Sequence, residues 1–310
     1  MKKTLLATAI MSGLLSAGAG AATVYEKDGD ILQLGGRAEV RGLFSDSVEG
    51  SMEDKSRARI NVAGRTQISE NLAGFGFVEY QIDRDNADQE TKVNNRYLFA
   101  GFDTAVGAFS FGRQDTANVQ IAQMSDVASN YSGANKVIDA AHEQQSNNFL
   151  YAGNFLDNAL SVKANYIAAS EADADSFGAS ARYAPGFGLE IGLGYADSEN
   201  NTNVVNSGLS YTFESFYAGI TYGNGELLDD NDQLQDFTII EAAAQYIFTN
   251  EFRLIGTYVN QEINDEDEQD YLAIEAQYRF TPVIRAFAIY QANQLDGAED
   301  ELFTGIRYDF

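Results

Sequence analysis

The chain has 310 residues, a formal net charge of −26 at pH 7, 20 Phe and 17 Tyr, and neither Cys nor Trp. The strong acidity argues against a nucleic-acid partner, because phosphates would repel it, and the absence of Cys excludes stabilisation by disulfides. Twenty-eight Gly and only two Pro beside so many aromatic residues favour a strand-rich chain with Gly-containing turns. No break in composition divides the chain, so a single domain is predicted.

The first 21 residues have the pattern of a cleaved secretory signal peptide. Lys2 and Lys3 precede an apolar run from Leu5 to Leu15, and small residues follow up to Ala21. The alternative is a membrane anchor, but the run is shorter than the roughly 20 residues that a spanning helix needs. Cleavage after Ala21 is therefore expected, which leaves residues 22–310 as one β-barrel domain without a transmembrane helix.

Alternation with a period of two residues, which is typical of β-strands, recurs along residues 22–310. In the first such segment one face is apolar and the other carries charge. The apolar face consists of Leu32, Leu34, Gly36, Ala38 and Val40, and the charged face includes Arg37, Glu39 and Arg41. Similar segments follow near residues 57–68 and 272–280.

Connections of two lengths separate these strands. Short ones are predicted near residues 70–71, 104–105, 155–156, 185–186, 214–215, 250–251 and 281–282. Long polar ones are predicted near residues 45–56, 83–95, 115–144, 168–174, 198–203, 224–236, 262–270 and 293–300. Seven short and eight long connections join sixteen antiparallel strands, with the two classes at opposite ends.

Aromatic residues gather beside the short connections, where turns are ordinarily polar. Tyr246, Phe248 and Phe252 flank the turn at residues 249–251, and residues 211–219 repeat the arrangement. Aromatic belts at strand ends are typical of a transmembrane β-barrel, which must close because an open edge in lipid leaves backbone groups unpaired. A soluble sandwich with ordinary aromatic β-formers is the alternative.

Several segments resemble the trimeric general porins of Gram-negative outer membranes. They are residues 24–40, 57–82, 96–102, 110–114 and the terminal GIRYDF. The resemblance covers the mature chain and is densest in its first third. It implies an all-β fold, namely a sixteen-stranded antiparallel transmembrane β-barrel with a pore-constricting third loop. It also implies a homotrimer in the cell outer membrane that lets ions and small hydrophilic solutes diffuse passively, contacts outer-membrane lipids and lipopolysaccharide, and needs no cofactor.

The third long connection is the segment that narrows the barrel in this family. Residues 118–137 have mixed polarity and no strand period. Alignment on the family motif places Asp126 at the first acidic position of the loop. The second acidic position is Asn130, and a basic position after the loop is Gln144, so this chain departs from the family pattern at both.

The family opposes the loop acids with a basic row on the barrel wall. The resemblance assigns Arg37, Arg59 and Arg96 to that row, with Arg57 as a weaker candidate and Arg41 weaker still. The simpler interpretation is that these arginines only solvate the lumen face.

The second long connection, residues 83–95, corresponds to a family loop that holds a neighbouring subunit. Arg113 matches a family position near that contact, and Asp85 is its candidate partner.

Acidic residues are concentrated in three predicted connections, residues 226–236, 262–270 and 296–300. A negative vestibule attracts cations within a Debye length of about 8–10 Å, so a modest cation preference is predicted. A calcium site is the alternative, but neither longer run has the spacing of an EF-hand loop, and solvated loops without a metal are favoured.

Three other functions remain as alternatives. An outer-membrane enzyme needs a nucleophile with a positioned base, and the only His is His142 in a polar connection, so no catalytic residue is assigned. A solute-specific channel requires a binding track, for which Phe75 and Phe77 are the only inward candidates. A purely structural barrel is the third.

Overall fold

The computed structural model describes residues 21–84 and 91–310. Most of these residues belong to β-strands. In this part of the chain, no helix has the length and apolar character that crossing a bilayer requires.

The described residues form eighteen strands and two short helical turns. The strands are β1 (Ala22–Lys27), β2 (Asp30–Phe44), β3 (Glu53–Asp54), β4 (Arg57–Ser69), β5 (Leu72–Arg84), β6 (Thr91–Thr104), β7 (Gly107–Gln114), β8 (Gln145–Phe155), β9 (Leu160–Ile167), β10 (Ser176–Tyr183), β11 (Leu189–Ser198), β12 (Asn203–Phe213), β13 (Phe216–Leu228), β14 (Leu234–Ile247), β15 (Phe252–Ile263), β16 (Glu266–Thr281), β17 (Ile284–Asn293) and β18 (Glu301–Asp309). The helical turns are α1 (Val119–Ala122) and a 3₁₀ turn at Asp139–Ala141.

Sixteen of the strands, β2 and β4 to β18, form a closed antiparallel barrel. Each pairs with its sequence neighbours, and β18 pairs with β2 from Leu302 opposite Phe44 to Asp309 opposite Arg37. The prediction of a sixteen-stranded antiparallel barrel is therefore confirmed. Strands β1 and β3 are short additions along β2.

The start of β1 and the C-terminal Phe310 meet beside β2 at the closing seam. The Phe310 carbonyl accepts a hydrogen bond from Gly36 N at 2.8 Å, and Phe310 N donates to the Gly36 carbonyl at 3.0 Å. Ala22 pairs with Leu34 two residues further along. Strands β18 and β1 therefore lie end to end along one edge of β2 and satisfy its backbone groups.

The outer face of the barrel is apolar, as the alternation predicts. Val40 is 70 % exposed and Ile60 is 47 % exposed, whereas the intervening Glu39 and Asn61 are buried against the lumen. A soluble core would have the opposite pattern, so this surface is suited to lipid.

Aromatic belts lie at both ends of the strands. Exposed Tyr246, Phe248 and Phe280 stand beside the short turns. At the long-connection end, Tyr195 Oη donates to Asp197 Oδ2 at 2.5 Å, and Tyr290 Oη donates to Asp300. Each of these two tyrosines thus has an apolar body on the wall and a polar tip toward water, the arrangement preferred at a bilayer interface.

Two predicted long connections are shorter than expected. The prediction that residues 262–270 form a long loop is wrong, because β15 and β16 continue to the two-residue turn Asn264-Asp265. Both residues have positive φ, 49° and 65°, the backbone geometry of a tight hairpin turn that Asn and Asp tolerate. The segment 224–236 likewise shrinks to residues 229–233, so Glu226 and Asp236, two of its five acidic residues, lie on the hairpin arms.

A substitution at the closing seam tests this architecture. A Cβ at Gly36 would lie 2.3 Å from the Arg59 carbonyl oxygen and 2.7 Å from Cζ of Phe310, whereas at Gly64 the nearest atom is 3.8 Å away. We expect Gly36→Val to lower the thermal unfolding temperature, with a loss of roughly 1–3 kcal/mol from overpacking. Gly64→Val is the matched control, and equal unfolding temperatures in heat-dependent gel mobility would contradict the seam described here.

Candidate functional site

The third long connection, residues 115–144, lies inside the barrel. All four residues of α1 are buried, and Met124 is 2 % exposed. A Cβ at Gly192 on the wall would lie 2.7 Å from Ile121 Cδ1 and 2.9 Å from Met124 Sδ. The apolar side of this segment therefore packs on the inner wall.

Glycine residues of the wall allow the loop to approach this closely. A Cβ at Gly219 would lie 1.9 Å from the Met124 carbonyl oxygen, and one at Gly194 would lie 1.8 Å from Asn118 Oδ1. Any larger residue at these positions would displace the loop toward the centre of the lumen.

Two buried carboxylates of the wall hold the loop backbone. Glu241 on β14 accepts hydrogen bonds from Gly133 N at 2.7 Å and Ala134 N at 2.6 Å. Glu275 on β16 accepts one from Ser129 N at 2.7 Å. Losing the partner of a buried amide costs roughly 1–3 kcal/mol, so these contacts fix the inner edge of the loop.

Neutral contacts attach the part of the loop nearer α1. Ser125 Oγ and Thr221 Oγ1 are 2.8 Å apart, and Tyr217 Oη donates to the Met124 carbonyl at 2.5 Å. Gln120 Nε2 donates to Ser180 Oγ at 2.7 Å. The loop is thus attached to strands β10, β13, β14 and β16, which together form one side of the barrel.

A cavity of about 280 Å³ separates the loop from the opposite wall. Five of the six charged residues that the sequence offered for this site line it, namely Arg37, Arg57, Arg59, Arg96 and Asp126, whereas Arg41 does not. The structure thus brings together all five residues, which are distant in sequence. We call this space the constriction cavity.

Sequence reasoning missed five charged residues of the same lining: Lys136, Glu143, Arg253, Arg285 and Arg307. In all, seven arginines and one lysine face two carboxylates across the constriction cavity. Arg307 lies between the apolar Ile306 and Tyr308 in the sequence, so the alternation of a strand is enough to put it on the inner face. Lys136 and Glu143 lie in an irregular loop, where no period marks the side that faces the lumen.

The wall arginines form a row with one member on each of four adjacent strands. Arg285 on β17 is opposite Arg307 on β18, and Arg37 on β2 is opposite Arg59 on β4. Among the described residues, neither Arg37 Nε nor Arg285 Nε has a hydrogen-bond partner. Both side chains line the constriction cavity, so the parts of their guanidinium groups that face it can contact a passing anion or water.

Two further arginines that line the constriction cavity have hydrogen-bond partners on the wall. Arg57 Nε donates to Glu39 Oε1 at 2.8 Å, and Arg96 Nε donates to Glu79 Oε1 at 2.9 Å. These partners hold the guanidinium groups against the wall, because a charged hydrogen bond restricts both side chains.

The negative charge of Asp126 is compensated by groups of its own loop. Its carboxylate accepts from Ser132 Oγ at 2.7 Å and from Lys136 Nζ at 2.9 Å. Lys136 Nζ also donates to Glu143 Oε1 at 2.9 Å. Burial alone would raise the pKa of Glu143, but the charge and hydrogen bond of Lys136 outweigh it and keep this pKa below its ordinary value.

The remaining sequence candidates lie elsewhere. Arg41 stands nearer the long connections, where its guanidinium carbon is 5.0 Å from the centroid of the Phe303 ring. On β7, Arg113 donates to the Asn95 carbonyl and to Ser146 Oγ, both at 3.0 Å. Asp85 lies outside the described residues, so its pairing with Arg113 stays a prediction. His142 is exposed, and residues 21–84 and 91–310 contain no group of three carboxylate, His or Cys side chains placed for a metal.

Comparisons with known proteins agree with this geometry. A family profile described as Gram-negative porin matches residues 6–298. Outer membrane protein U of Vibrio vulnificus is 34 % identical and Porin-like protein L of Photobacterium profundum is 32 % identical, each over the whole of both chains. The solved structure of Salmonella typhi OmpF in complex with daunomycin has a TM-score of 0.81 at 22 % identity, over 93 % of this chain and 100 % of that chain. The trimer form of Vibrio cholerae OmpT has a TM-score of 0.70 at 20 % identity, over 91 % and 100 %. These two structures share the fold of this chain.

The role of Glu241 in holding the loop can be measured directly. In Glu241→Ala the amides of Gly133 and Ala134 lose their acceptor, at a cost of roughly 1–3 kcal/mol for buried groups. We expect their hydrogen exchange to accelerate about tenfold or more, since 1.4 kcal/mol corresponds to a factor of ten. The matched control is Glu190→Ala on β11, whose carboxylate forms a half-exposed ion pair with Arg182. Unchanged exchange at both amides would show that this carboxylate does not hold the loop.

Proposed function

The chain belongs to the Gram-negative porin family and is an outer-membrane β-barrel, and we propose that it is a general diffusion porin. In this role it lets ions and small hydrophilic solutes cross down their concentration gradients through a water-filled lumen. Members of this family are channels, and the proposed passage needs no cofactor, nucleotide or catalytic group.

The constriction cavity is the observation that carries this proposal. Its lining places Asp126 and Glu143 on the loop side against arginines on the wall. Opposed charges of this kind create a field across the passage, in which a polar solute can align. An apolar solute instead has to displace ordered water, so the arrangement favours hydrophilic solutes of many kinds over any single one.

A modest preference for cations is part of the proposal, and the long-connection end supports it. The pKa of Asp229 is lowered by backbone hydrogen bonds from Gln233 and Asn231. The pKa of Asp300 is lowered by the Tyr290 hydroxyl and by the backbone of Asn293. Both groups therefore stay ionised as the pH falls through the ordinary aspartate range, and they concentrate cations at this mouth.

The arginine row opposes that preference at the narrowest point. Seven arginines lie around the constriction cavity, but several are balanced by wall carboxylates such as Glu39 and Glu79. The acidic mouth and the basic row therefore act in opposite directions, which keeps the net preference small.

We include a homotrimer in the proposal. The OmpT structure of similar fold is described as a trimer form, and most soluble and membrane homo-oligomers bury complementary surfaces around a symmetry axis. Arg113 lies at the long-connection end of β7, next to the second long connection, which is where the sequence predicts a subunit contact with Asp85.

Lipids of the outer membrane are the remaining partners. The exposed apolar band and the two aromatic belts described above fit acyl chains and headgroups. Acidic residues at the long-connection end fit divalent cations that bridge to anionic lipopolysaccharide.

Reversal potentials in a salt gradient test the charge argument. The purified protein in a planar bilayer should conduct, close in three equal steps and show a cation-selective potential. Arg37→Ala should increase the preference for cations up to about threefold, because removing one charge about 6 Å from an ion in water changes its free energy by about 0.7 kcal/mol. Arg279→Ala is the control, since this exposed arginine at the short-turn end does not line the constriction cavity.

The same recordings at lower pH give a second criterion. Because the pKa values of Asp229 and Asp300 are lowered, the cation preference should be similar at pH 7 and pH 5. An anion-selective potential in the unmodified protein would contradict the proposed preference. Absence of conductance from folded protein would contradict the porin proposal itself.

A further inference from the structure

Four aromatic rings form a cluster on the lumen side of β5 and β6. Phe77 is surrounded by Tyr97 at 5.9 Å and Phe99 at 5.7 Å between ring centroids, and Phe75 lies 6.5 Å from Phe99. Phe77 and Phe99 are buried, whereas Phe75 and Tyr97 remain half-exposed. The interior of a water-filled barrel is ordinarily polar, so a ring cluster on this wall is a local exception.

The cluster lines a cavity of about 640 Å³ that is distinct from the constriction cavity. The lining also includes Ala108 and Asn154, which stand next to the short turns after β6 and β8. This space therefore lies on the short-turn side of the loop, and we call it the inner cavity. Its size falls within the range of about 300–1,000 Å³ that is typical of small-molecule sites.

Positive charge surrounds the rings. Six basic residues and three carboxylates line the inner cavity. Among the basic residues are Arg37 and Arg59, which reach both cavities. Arg37 Nε has no partner among the described residues, and Arg59 donates from Nε to the neutral Gln81 Oε1 at 2.6 Å. Arg59 Nη1 also lies 3.8 Å from Glu79 Oε1, a carboxylate that it shares with Arg96, so among the described residues neither guanidinium has a carboxylate of its own.

Rings on one side and guanidinium groups on the other fit a solute with one aromatic ring and one anionic group. Ring pairs gain about 0.5–1.5 kcal/mol beyond area burial, and a guanidinium binds a carboxylate through two parallel hydrogen bonds. We propose that the inner cavity is a binding station for aromatic carboxylates, with the carboxylate at Arg37 and Arg59 and the ring against the cluster, whose Tyr97 and Phe77 lie nearest to these arginines in the strand register. The inference rests on the proposed porin function and adds a preferred solute class to it.

The position of the station makes binding depend on the side of approach. A carboxylate that enters from the short-turn end meets the inner cavity before the loop. From the other end it must first pass the acidic mouth, which repels anions within about a Debye length. Aromatic carboxylates should therefore reduce the current at lower concentration when they are added at the short-turn end.

Tryptophan fluorescence offers a direct binding measurement, because the chain contains no Trp. The variant Phe75→Trp keeps a ring in the cluster and introduces a single reporter. Titration with 3-phenylpropionate should give a saturable change, and propionate or 3-phenylpropanol, each lacking one of the two groups, should need at least fivefold higher concentration. Addition of Arg37→Ala to the reporter variant should weaken binding about tenfold.

The control reporter is Phe303→Trp, at a lumen-facing ring on the other side of the loop that packs near Leu43 and Phe287. We expect no saturable change there in the same titration. Equal responses to 3-phenylpropionate and propionate, or equal responses of the two reporters, would contradict the proposal that the inner cavity binds aromatic carboxylates.

Current block in planar bilayers tests the same site in the conducting protein. The half-blocking concentration of 3-phenylpropionate should rise about five- to tenfold in Phe77→Ala and stay unchanged in Phe303→Ala. If the protein conducts and neither block nor fluorescence change occurs, the station is wrong and the porin function stands. If folded protein does not conduct, the porin function fails, and the fluorescence titration still decides whether the cavity binds.

Discussion

Hydrogen bonding of the backbone in lipid is the constraint on which this structure depends. The hydrocarbon layer offers no partner to an N–H or C=O group, so each strand must pair on both edges. The sixteen strands meet this requirement by closing on themselves, and at the seam β18 and β1 continue each other along β2. Closure in turn creates an interior that lipid cannot reach, and that interior is where charged residues can collect.

Docking of the third long connection converts this wide interior into a narrow passage. The loop could not lie there without three kinds of support from the wall. Glycines such as Gly219 give it room, apolar side chains such as Ile121 pack on that surface, and Glu241 and Glu275 accept its backbone hydrogen bonds. Most of this support comes from one side, while Tyr131 contacts Glu301 and Phe303 of β18, so the charged row on β17, β18, β2 and β4 is left facing open space.

Strand number and direction could be predicted from the sequence because each strand obeys a strict period of two and is exposed to two different solvents. The lumen charges on strands were accessible by the same rule, and Arg307 follows from the alternation at Ile306 and Tyr308. Lys136 and Glu143 could not be predicted in this way, since their positions depend on how an irregular loop packs against the wall. The extent of the hairpin at Asn264 also escaped prediction, because polar strands beyond the membrane resemble loops in composition.

A covalent lock between loop and wall would test the central claim, that the docked loop defines the passage in the conducting state. The chain has no Cys, and Ser125 Oγ lies 2.8 Å from Thr221 Oγ1, so the double variant Ser125→Cys with Thr221→Cys can be oxidised at that contact. We predict that the disulfide forms and that the oxidised and reduced proteins have the same single-channel conductance. Loss of conductance on oxidation and its recovery on reduction would show that the loop must leave the wall for solutes to pass, which would contradict this account.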